Sequence, residues 1–161
     1  MNLIESLLYQ LSGWFLAPVL LLILLLFLYA CYALGAFLVE AVQRQRGNAH
    51  AMERHWKSEG GQLEDLELWI VKRLEPLRIG TRTAPMLGLV ATMIPMGPAL
   101  VGLSDGQMDE VARQVGIAFA AVIVSLLAAS VLYTLLVVRR RWLLQDLRKI
   151  ELKIAAANGE A

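Results

Sequence analysis

Two hydroxyl side chains, Thr92 and Ser125, lie near the centres of long uncharged segments. Thr92 is the tenth residue of a 22-residue run without Asp, Glu, Lys, Arg or His (83–104), and Ser125 is the twelfth of a 25-residue run (114–138). Runs of about 20 apolar residues can cross a bilayer, so both hydroxyls are expected close to mid-membrane. There a hydroxyl either donates to a carbonyl of its own helix, four residues back, or donates to a polar group on another chain.

Asp, Glu, Lys, Arg and His are missing from three runs of the sequence, 6–39, 83–104 and 114–138. Proton and ion paths through membranes usually depend on such groups. The chain therefore either conducts no ions or relies on a partner for the titrating group. His50 and His55 are five residues apart, on different faces of a helix, so no metal site is expected there. No catalytic motif occurs either, which disfavours a membrane enzyme.

The second run, TAPMLGLVATMIPMGPALVG (83–102), contains three prolines and three glycines. Pro95 and Pro98 each lack a backbone donor, which frees a carbonyl that must find another partner inside a membrane. Two interpretations stay open, namely a kink that serves packing and a helix that lines a cavity. With Thr92 and Ser125, these two prolines form the candidate surface for an ion path or a partner.

The uncharged runs predict an all-α integral membrane protein with three transmembrane helices, in a chain that is 58% hydrophobic. The predicted order is an interfacial N-terminal helix, a first span, a cytoplasmic helical hairpin, a second span, an outer loop, a third span and a cytoplasmic C-terminal helix. Their respective bounds are 1–13, 14–40, 41–82, 83–104, 105–113, 114–138 and 139–161.

Orientation follows from the basic residues, because cytoplasmic segments carry an excess of Lys and Arg. Segments 41–82 and 139–161 hold all but one of the 15 Lys and Arg residues, and the 105–113 loop holds only Arg113. The N-terminus is therefore expected outside. The basic residues at the membrane edges suit lipid headgroups better than nucleic acid.

Helical periodicity extends into the polar segments. Ser58–Gly61 favours a turn within the hairpin, and an apolar repeat from Leu63 to Leu77 predicts a helix after it. In the tail, Leu143, Leu147, Ile150 and Ile154 form one stripe. This stripe either packs on the hairpin helix or joins a helical bundle between subunits, and both can hold. Asp109 and Glu110 favour a helix start after the SDGQ turn.

Small residues distinguish the second and third spans from the Leu-rich first span, which suits contact with lipid. They let helix backbones approach closely, and this much small surface in three spans indicates self-assembly. The residues expected to serve helix packing are Pro85, Gly88, Gly97, Gly116 and Ala121.

The stretch APMLGLVATM (84–93) resembles the TolQ/ExbB/MotA proton-channel family. The family pattern is an Ala-Pro opening, then Gly-Leu, then a threonine in the pore-lining second span; here these are Ala84-Pro85, Gly88-Leu89 and Thr92. The expected topology and the basic RRRW sequence after the third span agree with it. The resemblance covers residues 80–142 well and the remainder in topology only, as a minimal three-span member.

The resemblance implies a homopentamer whose second and third spans surround two copies of a single-span partner similar to ExbD, TolR or MotB. That partner carries the essential aspartate. Proton passage, or Na⁺ passage, would drive work on an envelope target from a bacterial or archaeal cytoplasmic (inner) membrane, without a cofactor. The chain departs from the family at Ile117 and Val122, where ExbB- and TolQ-like third spans carry a glutamate and a threonine. This departure keeps open an alternative function, a non-conducting membrane scaffold or assembly subunit.

Overall fold

The fold consists of three long α-helices, seen in a computed structural model that describes residues 3–45 and 63–159. These are α1 (Leu3–Gln45), α2 (Leu63–Ser104) and α3 (Met108–Gly159). All three are long and apolar enough to cross a membrane. The Ser58–Gly61 turn and both histidines lie outside the described residues.

Each helix is longer than a bilayer requires. The 42 residues of α2 and the 52 of α3 exceed the ~20 residues that span the hydrocarbon core. Both helices cross the predicted membrane boundaries at 82 and 138 without a break, and α1 likewise continues through residue 13. The helix predicted after Leu63 is confirmed, as the first part of α2.

A three-residue turn joins α2 to α3. Gly106 has a φ of +74°, a left-handed conformation that favours glycine at the end of a helix. The Gln107 N–H donates to the Gly102 carbonyl at 2.8 Å, and the Asp105 N–H donates to the Val101 carbonyl at 3.1 Å. Asp109 and Glu110 lie in the first turn of α3, which confirms the predicted helix start. Because α3 begins at Met108, the connection is shorter than the expected loop.

The described chain divides into two compact units, and every helix contributes to both. The first unit comprises Met1–Tyr32 and Gly80–Val131. Its core joins Val19 and Ile23 of α1 to Ala91 of α2 and Ala121 of α3. The alanines matter here because short side chains let the backbones approach each other.

The second unit comprises Ala33–Ile79 and Leu132–Ala161. In it the Phe37 and Trp142 rings stack with centroids 5.0 Å apart, and the Arg44 guanidinium lies 4.8 Å from the centroid of the Trp142 ring. Arg44 also pairs with Asp146, and Arg139 pairs with Glu40 at 2.9 Å. These contacts fasten α1 to α3.

The apolar stripe of the C-terminal segment faces the inside of the second unit. Leu143, Leu147 and Ile150 are buried, as are Leu66, Ile70, Leu74 and Leu77 of α2. This burial within one chain favours the first of the two interpretations of the stripe, packing on the helix that follows residue 63.

Candidate functional site

Gly88 of α2 and Ser125 of α3 pack closely against each other in the first unit. A Cβ atom added at Gly88 would overlap the Ser125 Oγ and lie 3.2 Å from the Ser125 Cβ and 3.7 Å from the Val122 Cα. Ser125 is only 1% exposed, and its hydroxyl donates to the Val122 carbonyl at 2.9 Å. Both the closeness of the helices and the position of the Ser125 hydroxyl therefore depend on the missing side chain at Gly88.

Thr92 lies one turn further along α2 and is half-exposed. Its hydroxyl donates to the Leu89 carbonyl at 2.7 Å. A bond to the same helix needs no second chain, and rotation about χ1 of the threonine can redirect the hydroxyl. Thus the structure separates the two mid-run hydroxyls, because Ser125 is enclosed between helices whereas Thr92 borders the surface.

An exposed apolar stripe runs along α2 beside Thr92. Its members recur at alternating intervals of three and four residues, and each is large and exposed: Met86, Leu89, Met93, Met96, Leu100 and Leu103. This spacing, 3.4 residues on average, is close to the ~3.5-residue spacing at which one helix packs along another. Gly97 is also exposed and adjoins this stripe.

A second stripe, made mostly of small residues, is exposed on α3. Its members follow the same alternation: Gly116, Ala120, Ile123, Leu127 and Ser130. No atom of residues 3–45 or 63–159 lies within 4 Å of a Cβ built at Gly116. Of the residues expected to serve packing, Gly88 and Ala121 therefore pack inside the first unit, Pro85 is half-buried, and Gly97 and Gly116 face outward.

Pro95 and Pro98 line a cleft of about 190 Å³ in the first unit, together with Ile117. Pro95 is buried and Pro98 half-buried, and α2 stays helical through both. Ile117 is one of the two positions where the chain departs from the family pattern, and its aliphatic side chain is part of the wall. The cleft is not evident from the sequence, because its walls come from three helices.

The edge of this cleft holds polar groups that sequence inspection did not single out. Gln114 and Arg113 both line it. Glu110 accepts from the Arg113 Nε at 3.0 Å, from the Arg113 Nη2 at 2.7 Å and from the Gln114 Nε2 at 2.7 Å. The sequence signal for this contact is the four-residue spacing of Glu110 and Gln114, which places both side chains on one face of a helix. Across the described residues, no three His, Cys, Asp or Glu side chains come together to hold a metal ion.

The comparisons with known proteins bear on the whole arrangement. The profile of the MotA/TolQ/ExbB proton channel family matches residues 31–152. No curated protein and no solved structure matches the chain. The matched segment includes both exposed stripes, Thr92 and Ser125, and that family supplies proton channel components of energy-transducing complexes rather than enzymes. With three helices able to span a membrane and a match over most of its length, the chain is a membrane protein that belongs to the MotA/TolQ/ExbB proton channel family.

Proposed function

We propose that this chain is the ring-forming subunit of a motor driven by the proton-motive force. In this proposal, five copies surround two copies of a single-span partner, and the partner carries the titrating aspartate. One observation carries the proposal: the profile of a proton channel family matches a chain whose spans contain no Asp, Glu, Lys, Arg or His. Because a proton path requires a titrating group, that group must come from another protein.

The proposed orientation places the N-terminus outside and segments 41–82 and 139–161 in the cytoplasm of a cell with a bacterial or archaeal inner membrane. The distribution of 14 of the 15 basic residues supports it. The three-residue turn between α2 and α3, which holds Asp105 and no basic residue, then lies outside.

Assembly is supported by the exposed stripes on α2 and α3. The α2 stripe is bulky and rich in methionine, whereas the α3 stripe is mostly small. Methionine side chains adapt to irregular or changing surfaces, which suits a surface against which another helix moves. The α1 surface is instead Leu-rich and broadly exposed, with Leu21, Leu24 and Leu28 as examples, and suits lipid.

In the proposed mechanism, Thr92 alternates between two acceptors. When the partner's aspartate is charged, the Thr92 hydroxyl donates to the carboxylate and stabilises its negative charge. When a proton from outside neutralises the aspartate, the hydroxyl returns to the Leu89 carbonyl, the acceptor it has in the structure. Hydrogen bonds to charged groups contribute about 1.5–3 kcal/mol, more than neutral ones. The neutral state is therefore released more readily, which allows the partner helix to move on.

Ser125 has a supporting part in this proposal. Its hydroxyl is enclosed beside Gly88, so it holds α2 and α3 together and does not reach the partner. Ile117 and Val122 are aliphatic and offer no polar group. Among the described residues of the first unit, Thr92 is therefore the single hydroxyl that lies near the middle of an uncharged run and also borders the surface.

The decisive experiment is a native mass measurement of the complex purified in mild detergent from cells that express this chain with its neighbouring genes. The proposal predicts a 5:2 complex with a single-span protein that bears an aspartate near the outer half of its span. Dimers or trimers without such a protein would refute it. A pentamer that binds no such partner, and that carries no proton flux in liposomes, would instead establish the non-conducting scaffold.

A further inference from the structure

The cleft beside Pro95 and Pro98 is built like a site for an amphiphile. Its walls include Leu16 of α1, Ile94, Pro95 and Pro98 of α2, and Ile117 of α3. All five residues belong to the uncharged runs, so this part of the cleft lies where hydrocarbon surrounds the protein. Its volume of about 190 Å³ greatly exceeds the ~30 Å³ share of one liquid water molecule. Apolar walls of this kind favour a hydrocarbon chain over water.

Polar groups occur at only one edge of the cleft, at the boundary of the third uncharged run. Arg113 is the last charged residue before that run. Its guanidinium gives two of its five N–H groups to Glu110, and the others remain able to donate. The Arg113 and Glu110 side chains are 66% and 38% exposed, so an incoming ligand can reach a cation and an anion together.

The Gln114 side chain adds an amide oxygen that receives no hydrogen bond from the described residues. Its Nε2 donates to Glu110, whereas its Oε1 is buried without a hydrogen-bond partner in the described part of the chain. A buried acceptor left unpaired destabilises the protein. A ligand that enters the cleft with N–H groups can remove this cost.

We propose that the cleft binds one zwitterionic phospholipid with a primary ammonium group, of the phosphatidylethanolamine type. The acyl chain lies between Leu16, Ile94 and Ile117. The phosphate accepts from Arg113, and the ammonium donates to Glu110 and to the Gln114 amide oxygen. The assignment of this lipid to the outer leaflet rests on the proposed orientation of the chain, whereas the site itself does not depend on that orientation. A phosphatidylcholine headgroup carries the same charges but no N–H, so it fits less well.

The test counts lipids that stay bound to the intact complex in native mass spectra after purification from nanodiscs. Two compositions are compared, with phosphatidylethanolamine or phosphatidylcholine as the zwitterionic lipid and equal phosphatidylglycerol in both. We expect about one retained phosphatidylethanolamine per subunit and about tenfold less phosphatidylcholine or phosphatidylglycerol. Equal retention of all three would overturn the headgroup assignment.

Two variants locate the site. Ile117→Trp fills the cleft and Arg113→Gln removes the phosphate donor, so each is expected to reduce retention about tenfold. Leu126→Trp is the matched control, because it adds the same ring to α3 at an exposed position outside both the cleft and the α3 stripe. Retention by Ile117→Trp at the control level would overturn the proposal.

A measurement on the unmodified protein covers the case in which Ile117→Trp does not fold. Phosphatidylethanolamine should raise the melting temperature of the complex in detergent more than phosphatidylcholine does, and equal shifts would contradict the site. Neither readout requires ion flux, so failure here leaves the proposed motor function standing.

Discussion

Gly88 of α2 and Ser125 of α3 lie so close together that a Cβ atom at residue 88 would overlap the Ser125 hydroxyl. The present separation of the two helices therefore requires glycine at this position. Because Gly88 has no Cβ, the Ser125 hydroxyl occupies the space beside it, and this hydroxyl donates a hydrogen bond to the Val122 carbonyl. The pair thus sets the distance between two spans of the proposed ring, one turn from Thr92.

We expect Gly88→Ala to destabilise the protein by about 1–3 kcal/mol, since extra methyl groups in a packed interior force side chains and backbones to shift. Thermal melting in detergent measures this. Ser125→Gly should restore much of the loss, because it removes both atoms that the new Cβ meets most closely. Gly35→Ala is the control, with open space around its Cβ. A Gly88→Ala protein as stable as this control would refute the packing argument.

Thr92→Val is expected to lower driven proton flux about tenfold or more while assembly survives. Valine keeps the shape of threonine and removes the hydroxyl, and a hydrogen bond to a charged group contributes about 1.5–3 kcal/mol. Flux into liposomes that contain the complex is measured with a pH-sensitive dye.

Two further variants make the Thr92 result specific. Thr92→Ser keeps a hydroxyl and should retain most of the flux. Ser130→Ala removes a hydroxyl that bonds back to Leu126 and should change flux little. Full flux in Thr92→Val would exclude Thr92 from the mechanism.

Gly116→Leu should prevent ring assembly and leave the single subunit folded. Within the described residues, nothing lies near a Cβ at this position, yet a leucine would place a bulky side chain in the small-residue stripe on α3. Native mass spectra should show smaller species, with helical content by circular dichroism unchanged. Gly35→Leu, an equal change at an open position on α1, should leave the pentamer intact. A pentamer of Gly116→Leu would show that this stripe is not an interface.

Trp142→Ala should lower the free energy of unfolding by about 1–2 kcal/mol, as it removes an aromatic stack and a cation–π contact. Trp142→Phe retains the stack on Phe37 and should lose less. Trp14→Ala is the control, because Trp14 is 86% exposed. Melting in detergent distinguishes them, and equal losses for Trp14→Ala and Trp142→Ala would contradict the contribution of the stack.

The sequence predicts the helices of this protein well because the absence of charge is a direct requirement of the bilayer. It does not predict how far they extend. Four prolines (76, 85, 95 and 98) lie within α2, and the helix continues through all of them, although each removes a hydrogen bond. Pro95 is buried against neighbouring parts of the fold, whereas Pro76 is exposed, and such packing is not a property of the local sequence.

The sequence predicts a similar depth in the membrane for Thr92 and Ser125, but it does not predict what surrounds them. Both lie near the middle of an uncharged run, so their positions in the sequence alone make them equally good candidates for contact with a partner. Ser125 is buried and Thr92 borders the surface because the two side chains face different directions when α2 packs on α3. Gly88 allows that close packing. The cleft at Gln114 could not be predicted for a similar reason, since its walls join residues from three parts of the chain.

The short turn around Gly106 has a consequence for the order in which the protein is made. Contacts between α2 and α3 in the first unit form within one hairpin, whereas Arg44 and Asp146 are 102 residues apart. Local contacts form early and distant ones late. We therefore expect the ion pairs that join α1 to α3 in the second unit, Arg44 with Asp146 and Glu40 with Arg139, to form last during synthesis.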